Sequence, residues 1–214
     1  MSDVTHTAIA ISRQMGSGGT YVGYLLAQEL GYKYVDREIL RQAAEHLGKE
    51  ESWLENCEGR SSGIVANILK AFSFGSPETS FIPPFETPIY DRDLFDLECR
   101  IINDIAGRFN AVILGRGGFH ALKSHPRLIR VFIHAPIEFR IQRLMKAQQI
   151  TQNRKAHSIL EDSDKSRARF IRDMTGVDWT DAKNYHLCID TSFVNFSSSV
   201  EIIRKFVEML PKVK

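Results

Sequence analysis

The chain contains few cysteines and no cysteine or histidine pair at a spacing typical of metal ligands. Its three cysteines, Cys57, Cys99 and Cys188, lie far apart and form no C-x-x-C pair. The seven histidines include no H-E-x-x-H or H-x-E spacing. We therefore expect free thiols in a reducing compartment, without a disulfide framework and without a protein-held transition metal.

The sequence also lacks a long apolar run and a strong charge of either sign. No segment approaches the roughly 20 apolar residues that a membrane helix needs, and the N-terminal stretch MSDVTHTAIAIS has no basic region followed by a long apolar one. A formal net charge of +2 is too small to indicate nucleic-acid binding by itself. These absences predict a cytoplasmic protein with neither a membrane nor a nucleic acid as partner.

Strand-like and helix-like segments alternate along the chain, and a hydrophobic content of 43% suits one substantial core. Ala111–Leu114 and Ile129–Ile133 are nearly continuous in apolar character, as expected for strands buried on both faces of a parallel sheet. The predicted strands are Thr7–Ile11, Lys33–Val35, Ala111–Leu114, Leu128–His134 and His186–Ile189. The predicted helices are Gly19–Leu30, one capped by Asp36, Asp93–Phe109, Ile137–Gln149, Ser158–Met174 and Ser198–Leu210. The alternation predicts a single three-layer α/β domain over residues 1–214, with a five-stranded parallel sheet and helices on both faces.

One region interrupts this alternation. The segment from Phe74 to Asp91 shows no clear period and contains four prolines together with the aromatic residues Phe81, Phe85 and Tyr90. A loop of this length in a compact domain is typically a functional lid or a partner contact, and it can equally be a surface loop whose aromatic side chains pack inward. Its aromatic residues suit a homodimer interface and a substrate cleft equally well.

A glycine-rich loop follows the first predicted strand, but it carries no lysine. In the phosphate-binding pattern G-x-x-x-x-G-K-[ST], Arg13 takes the place of the first glycine and Gly19 takes the place of the lysine. Gly16, Ser17, Gly18 and Gly19 still allow a tight turn and a close backbone approach to an anion. The dipole of the helix that begins near Thr20 favours phosphate, although such a loop can also do no more than turn the chain.

Arginines follow two further predicted strands. Arg116 lies between glycines after Ala111–Leu114, and Arg140 and Arg143 lie at i, i+3 after Leu128–His134. Arg167 and Arg169 lie on a polar, basic helix that could also be a solvated face. Ligands of open α/β sheets bind beyond the carboxyl ends of the strands, where these arginines and the glycine loop are expected to meet. The combination favours phosphoryl transfer, a reaction that depends on positioning and on the dispersal of charge.

Five collinear stretches carry a resemblance to a known family: ISRQMGSGG, GYKYVDREIL, VILGRGGFHAL, RVFIHAPIEFRIQRL and DKSRARFIRDMTGVDWTDAKNYHLCIDTS. At these residues the chain resembles the cytidylate kinase-like family of P-loop nucleoside monophosphate kinases. It is most similar to the branch in which S-R-Q-x-G-S-G-G replaces the lysine loop. Residues of about 50–92 are not covered and form a divergent, acceptor-side insertion. The resemblance implies a P-loop kinase fold with a basic helical lid over residues 140–175, ATP with Mg²⁺ as donor, and a monophosphate acceptor.

The resemblance also implies roles for individual residues. The residues expected to bind ATP are Gly16, Ser17, Gly18, Gly19, Thr20 and Tyr21 in the loop, with Arg140 and Arg143 at the start of the lid, and Thr20 is expected to bind Mg²⁺. The residues expected to bind the acceptor are Asp36, Arg37 and Arg116. The residues expected to supply catalytic positive charge are Arg13, Arg116, Arg167 and Arg169, of which Arg13 or a lid arginine would replace the missing lysine.

The chain departs from the family pattern at four positions. Gly117 replaces the aspartate after the G-R pair, Arg37 replaces a small hydroxyl residue, and Asp162 and Ser166 replace an arginine and an aspartate of the lid. These departures leave the acceptor unassigned. Besides a nucleoside monophosphate kinase-like enzyme, the sequence is therefore compatible with a nucleotide-binding regulatory module that has lost phosphoryl transfer, or with a partner-binding protein that uses the segment from Phe74 to Tyr90.

Overall fold

The computed structural model of the protein describes residues 6–36, 40, 92–115 and 117–211. The body of the helix predicted after Asp36 and the proline-rich segment from Phe74 to Asp91 lie outside the described residues. The candidate residues Arg37 and Arg116 also lie outside them.

Strands and helices alternate through the described residues as the sequence predicts. The strands are β1 (Ala8–Arg13), β2 (Lys33–Val35), β3 (Ala111–Leu114), β4 (Leu128–His134) and β5 (Leu187–Asp190). The α-helices are α1 (Gly19–Leu30), α2 (Arg92–Arg108), α3 (Gly118–Ala121), α4 (Ile137–Gln148), α5 (Asn153–Thr175) and α6 (Phe196–Glu208), with a 3-10 turn at Ala182–Asn184. The five predicted strands are confirmed, with shifts of one or two residues at the ends of β1 and β5.

Two helical segments differ from the prediction. Helix α5 begins at Asn153, five residues before the predicted start at Ser158. In its first turn only Ala156 is buried, so the apolar periodicity that predicts a helix is weak there. The short helix α3 follows Gly117, where the sequence suggested only a glycine-rich turn.

The five strands form one parallel sheet in the order β2-β3-β1-β4-β5. The central strand β1 pairs with β3 on one side, where Ile11 lies opposite Leu114, and with β4 on the other, where Arg13 lies opposite Ile133. The carboxyl ends of all five strands therefore lie at one edge of the sheet. At this edge, connections from neighbouring strands diverge and leave the crevice in which open α/β sheets bind ligands.

Helices cover both faces of the sheet, because successive side chains of a strand point to opposite faces. Ile9 and Ile11 of β1 pack in one buried cluster with residues of α1 and α6, among them Leu26 and Ile203. Ala10 lies in a cluster on the other face together with Phe95 of α2, Phe119 of α3 and the C-terminal residues Phe170 and Ile171 of α5. The protein thus has a three-layer α/β fold.

A further cluster connects the loop after β1 to helices α4 and α5. Met15 of this loop is buried against Ile141 and Leu144 of α4 and against Ala156 and Leu160 of α5. The loop is therefore supported from below by two packed helices. None of the helices in the described ranges is long and apolar enough to cross a membrane.

Two adjacent isoleucines of α6 test this assignment of the core. Ile203 is fully buried against the sheet, whereas the side chain of Ile202 is 40% exposed. We expect Ile203→Ala to lower the free energy of unfolding by about 2–5 kcal/mol, because it removes buried methyl groups and leaves a cavity. Ile202→Ala makes the same change on the same helix and should lower it by less than about 1 kcal/mol. Urea denaturation of both variants measures the difference, and equal losses would contradict the described orientation of α6.

Candidate functional site

The loop between β1 and α1 turns at two glycines in left-handed backbone conformations. Gly16 has φ of 82° and Gly18 has φ of 83°, values that other residues rarely adopt. Gly18 precedes the first residue of α1, and a Cβ atom added to it would lie 2.4 Å from the ring of Phe196. Both the backbone conformation and the contact with Phe196 therefore require glycine at position 18.

Carbonyl groups of this loop are bound by the protein around it. The carbonyl oxygen of Ser17 accepts a hydrogen bond of 2.6 Å from the hydroxyl of Thr191. The hydroxyl of Ser17 donates to the carbonyl oxygens of Gln14 at 2.8 Å and of Ile133 at 3.2 Å. The first N–H groups of a helix have no acceptor within the helix, so those of α1 are available to an anion and add the favourable helix dipole. The loop has the geometry of an anion-binding site.

The side chain of Arg13 occupies the space in which a lysine at position 19 would begin. A Cβ atom added to Gly19 would lie 2.5 Å from Cβ of Arg13 and 3.0 Å from its Cγ. At the other end of the side chain, a Cβ atom added to Gly115 would lie 2.2 Å from Nη1 of Arg13. Arg13 thus extends from Gly19 to Gly115, and its stem leaves no room for a lysine at position 19.

The guanidinium of Arg13 lies toward the β2–β3 side of the sheet edge. Burial raises the pKa of Tyr34 on β2, the carboxylate of Asp36 raises it further, and the charge of Arg13 lowers it. Arg13 and Asp36 are therefore both within electrostatic range of Tyr34.

Three predicted site residues surround Phe196 at the start of α6. The guanidinium carbon of Arg143 lies 4.5 Å from the centre of the Phe196 ring, a distance typical of a cation–π contact. The ring of Tyr21 meets Phe196 edge to face at 5.9 Å between centres, and Gly18 lies against the same ring. Burial lowers the pKa of Arg143. This cluster places a half-buried cation and two aromatic rings beside the loop.

Arg140 and Arg143 face different surroundings although they are one turn apart. Arg140 is 5% exposed, and its guanidinium donates to Asp164 of α5 and to the carbonyl oxygens of Ala135 and Met15. It therefore lies beneath the loop, while Arg143 lies beside it.

The two arginines predicted for the lid also differ. Arg169 is largely exposed, and its Nε lies 3.6 Å from the Asp173 carboxylate on the same helix. Arg167 is only partly exposed and lowers the pKa of Asp164, which lies next to the loop. Of the two, Arg167 is the one that the structure brings toward the loop.

The sequence interpretation missed three residues of this site. Thr191 directly follows β5, and the rule that sites lie beyond the carboxyl ends of strands could have identified it. Asp164 lies in a basic segment, and no sequence motif distinguishes its carboxylate from the other carboxylates there. Phe196 is distant from the loop in sequence and contacts it only in the folded protein, and no sequence motif marks it.

Thr20 is the residue of this site suited to a metal ion. It is the second residue of α1, and its side chain is partly exposed. Within the ranges that the structure describes, no group of three or more His, Cys, Asp and Glu residues could hold a metal by itself. A Mg²⁺ ion that accompanies a phosphate ligand needs few protein ligands, because phosphate oxygens and waters complete its octahedron.

A glycine pair tests the conformation of the loop. We expect Gly18→Ala to lower the free energy of unfolding by about 1–3 kcal/mol, because φ of 83° is strained for alanine and the methyl group would contact Phe196. Gly107→Ala is the matched control, since Gly107 lies inside α2 with no atom within 4 Å of an added Cβ. It should raise the free energy of unfolding by about 0.5–1 kcal/mol. Chemical denaturation distinguishes the two signs, and a neutral Gly18→Ala would refute the described turn.

A double variant tests the shared space of Arg13 and Gly19. We expect Gly19→Lys alone to lower the unfolding free energy by about 1–3 kcal/mol, because its Cβ would overlap the stem of Arg13. Adding Arg13→Gly removes the overlapping atoms and should restore most of that loss, although Ile133 remains 3.2 Å from the new Cβ. A double-mutant cycle from thermal or urea unfolding measures this coupling, and additive effects would show that the two positions do not share space.

Comparison with known proteins is consistent with this arrangement. A curated cytidylate kinase from Methanopyrus kandleri is 24% identical over 203 residues, which are 94% of this chain and 93% of the relative. An uncharacterized protein from Eubacterium ventriosum has a similar structure, with a TM-score of 0.71, 19% identity, and coverage of 95% of this chain and 99% of the other. A shikimate kinase from Bacteroides thetaiotaomicron, with a TM-score of 0.50, 16% identity and the same coverages, shares the fold. The sequence model of the cytidylate kinase-like family matches residues 8–193, and the chain belongs to this family.

Proposed function

We propose that this protein transfers a phosphoryl group from ATP, bound with Mg²⁺, to a small acceptor, and that the acceptor is a nucleoside monophosphate. Its family and its kinase-like, nucleotide-binding fold support phosphoryl transfer as the reaction class. The observation that carries the proposal is the position of Arg13, whose stem lies against Gly19 of the glycine-rich loop and whose guanidinium lies at Gly115, directly after β3.

The loop fits a chain of phosphates. Its two left-handed glycines lead into the start of α1, a geometry that suits anion binding by backbone N–H groups, and Thr191 holds the carbonyl of Ser17. Thr20 would bind Mg²⁺ through its hydroxyl, and the ion would disperse negative charge on the phosphates. Arg143, Tyr21 and Phe196 are placed beside the loop to contact the rest of the nucleotide.

Arg13 is the residue that we propose in place of the loop lysine. A guanidinium remains charged and can bind two phosphate oxygens at once. Its stem against Gly19 of the loop and its guanidinium at Gly115 support a role in binding phosphate oxygens at this edge of the sheet. Arg167 is a second candidate, since it approaches the loop through Asp164. Arg116, Asp36 and Arg37 would bind the acceptor, and Arg169 would act from the lid.

A second candidate function is a nucleotide-binding regulatory module without phosphoryl transfer. The observation that favours it is the absence of a lysine at position 19, which the space taken by Arg13 enforces. Nucleotide binding without any phosphorylated product would identify such a module. The cytoplasmic location and the homodimer interface remain predictions for either function.

Activity measurements with an arginine variant test the proposed role. We expect the wild-type protein with labelled ATP and Mg²⁺ to phosphorylate at least one member of a panel of nucleoside monophosphates. On that acceptor, Arg13→Ala should lower kcat by about 10²-fold or more, because it removes a charge that stabilises the transition state. Arg100→Ala is the control, as it removes an exposed arginine of α2, a helix that contributes no residue to the proposed site.

Each outcome of this assay has a distinct meaning. If no acceptor is phosphorylated although ATP binds, the kinase proposal fails and the regulatory module is supported. If the enzyme is active and Arg13→Ala has the kcat of the wild type, Arg13 is not the replacement for the lysine.

A further inference from the structure

Arg140 connects three elements beneath the glycine-rich loop. Its Nε donates to the carbonyl oxygen of Ala135 at 3.0 Å, just after β4. Its Nη1 donates to the carbonyl oxygen of Met15 at 3.3 Å and to Oδ2 of Asp164 at 2.8 Å. A Cβ atom added to Gly16 would lie 3.0 Å from Cβ of Arg140, so the arginine also packs directly against the turn.

Asp164 completes this contact from helix α5. Its side chain is 22% exposed, and its Oδ2 pairs with Arg140. Met15 is thus held through its carbonyl oxygen by Arg140, and Arg140 is held in turn by Asp164.

The ion pair is not an obvious source of net stability. Burial raises the pKa of Asp164, and the neighbouring charges of Arg140 and Arg167 lower it. Removing two charges from water is costly, so buried ion pairs commonly add little net stability. What the pair does supply is a fixed direction for the groups that it binds, because its hydrogen bonds are charged and geometrically specific.

We infer that Arg140 and Asp164 are positioning residues that set the shape of the glycine-rich loop by holding the backbone of Met15 against helix α5. On the other side of the turn, Thr191 holds the carbonyl of Ser17. Gly16 lies between these two anchors, and its left-handed conformation is fixed from both ends. Arg140 therefore acts on a bound anion through the loop and not by direct contact. The shape of the loop is independent of the proposed function, whereas any effect on nucleotide affinity rests on it.

Hydrogen exchange in the ligand-free protein tests this inference. Asp164→Asn keeps the size of the side chain and removes its charge. We expect amide exchange in residues 14–20 to become about tenfold faster or more, as for the loss of a charged hydrogen bond, while amides of β1 and β4 exchange at the wild-type rate. Glu161→Gln makes the matched change one turn earlier on α5, in an exposed pair with Lys165, and should leave the loop unchanged.

A second variant and a binding measurement complete the test. Arg140→Lys keeps the charge but loses the planar set of donors, and it should also accelerate exchange in residues 14–20. Loop exchange at the wild-type rate in both variants would overturn the inference. Faster exchange throughout β1 and β4 would also overturn it, since the pair would then support the whole fold and not the loop.

ATP affinity measured by calorimetry separates this inference from the proposed function. With ATP and Mg²⁺ we expect Asp164→Asn to raise Kd about tenfold and Glu161→Gln to leave it unchanged. An unchanged Kd in Asp164→Asn would overturn the inference. If the wild-type protein itself binds no ATP, the proposed function fails, and the exchange result alone decides whether the pair positions the loop.

Discussion

The parallel pairing of β1 with both β3 and β4 is the interaction on which the rest of the structure depends. It places the last residue of β1, Arg13, between the ends of two other buried strands. This pairing alone brings the glycine loop, Gly115 and the residues after β4 to one edge of the sheet. Because β1 is buried on both faces, the loop and Arg13 extend from a packed strand at the centre of the sheet.

Residues of other elements set the shape of the glycine-rich loop at this edge. Its carbonyl groups and its apolar residue are occupied by other elements: Thr191 after β5, Arg140 of α4, and the packed side chains of α4 and α5 around Met15. Helix α5 is anchored at its far end too, where Arg92 of α2 donates to the carbonyl oxygens of Met174 and Asp173. Helix α5, which was predicted as part of a lid, is therefore also one of the elements that support the loop.

Much of the fold could be predicted from the sequence, because the strands of a buried parallel sheet are short, apolar and separated by periodic helices. Ala111–Leu114 and Leu128–His134 were predictable to the residue for this reason. The polar first turn of α5 was not, since its helical state depends on Ala156 packing against α4 and on little else. That the glycine loop, Gly115 and the residues after β4 lie at one edge was predictable, because strand ends in a parallel sheet converge.

What each side chain does at the site was less predictable. Arg140 and Arg143 are equivalent in sequence spacing, yet one is buried under the loop and the other lies on Phe196. The two arginines differ in how deeply they are buried, and the spacing of residues along a helix does not predict burial. Asp164 and Phe196 are far from the loop in sequence, so their contribution depends wholly on the tertiary structure.

The presence of Arg13 and Gly19, without a lysine in the loop, has a consequence for the electrostatics of the site. A lysine ammonium that is removed from water can lose its proton, because desolvation lowers its pKa. A guanidinium keeps its charge under the same conditions, and this one extends from a strand at the centre of the sheet. A family member built in this way would keep a positive charge beside its glycine-rich loop even if water were excluded from that loop.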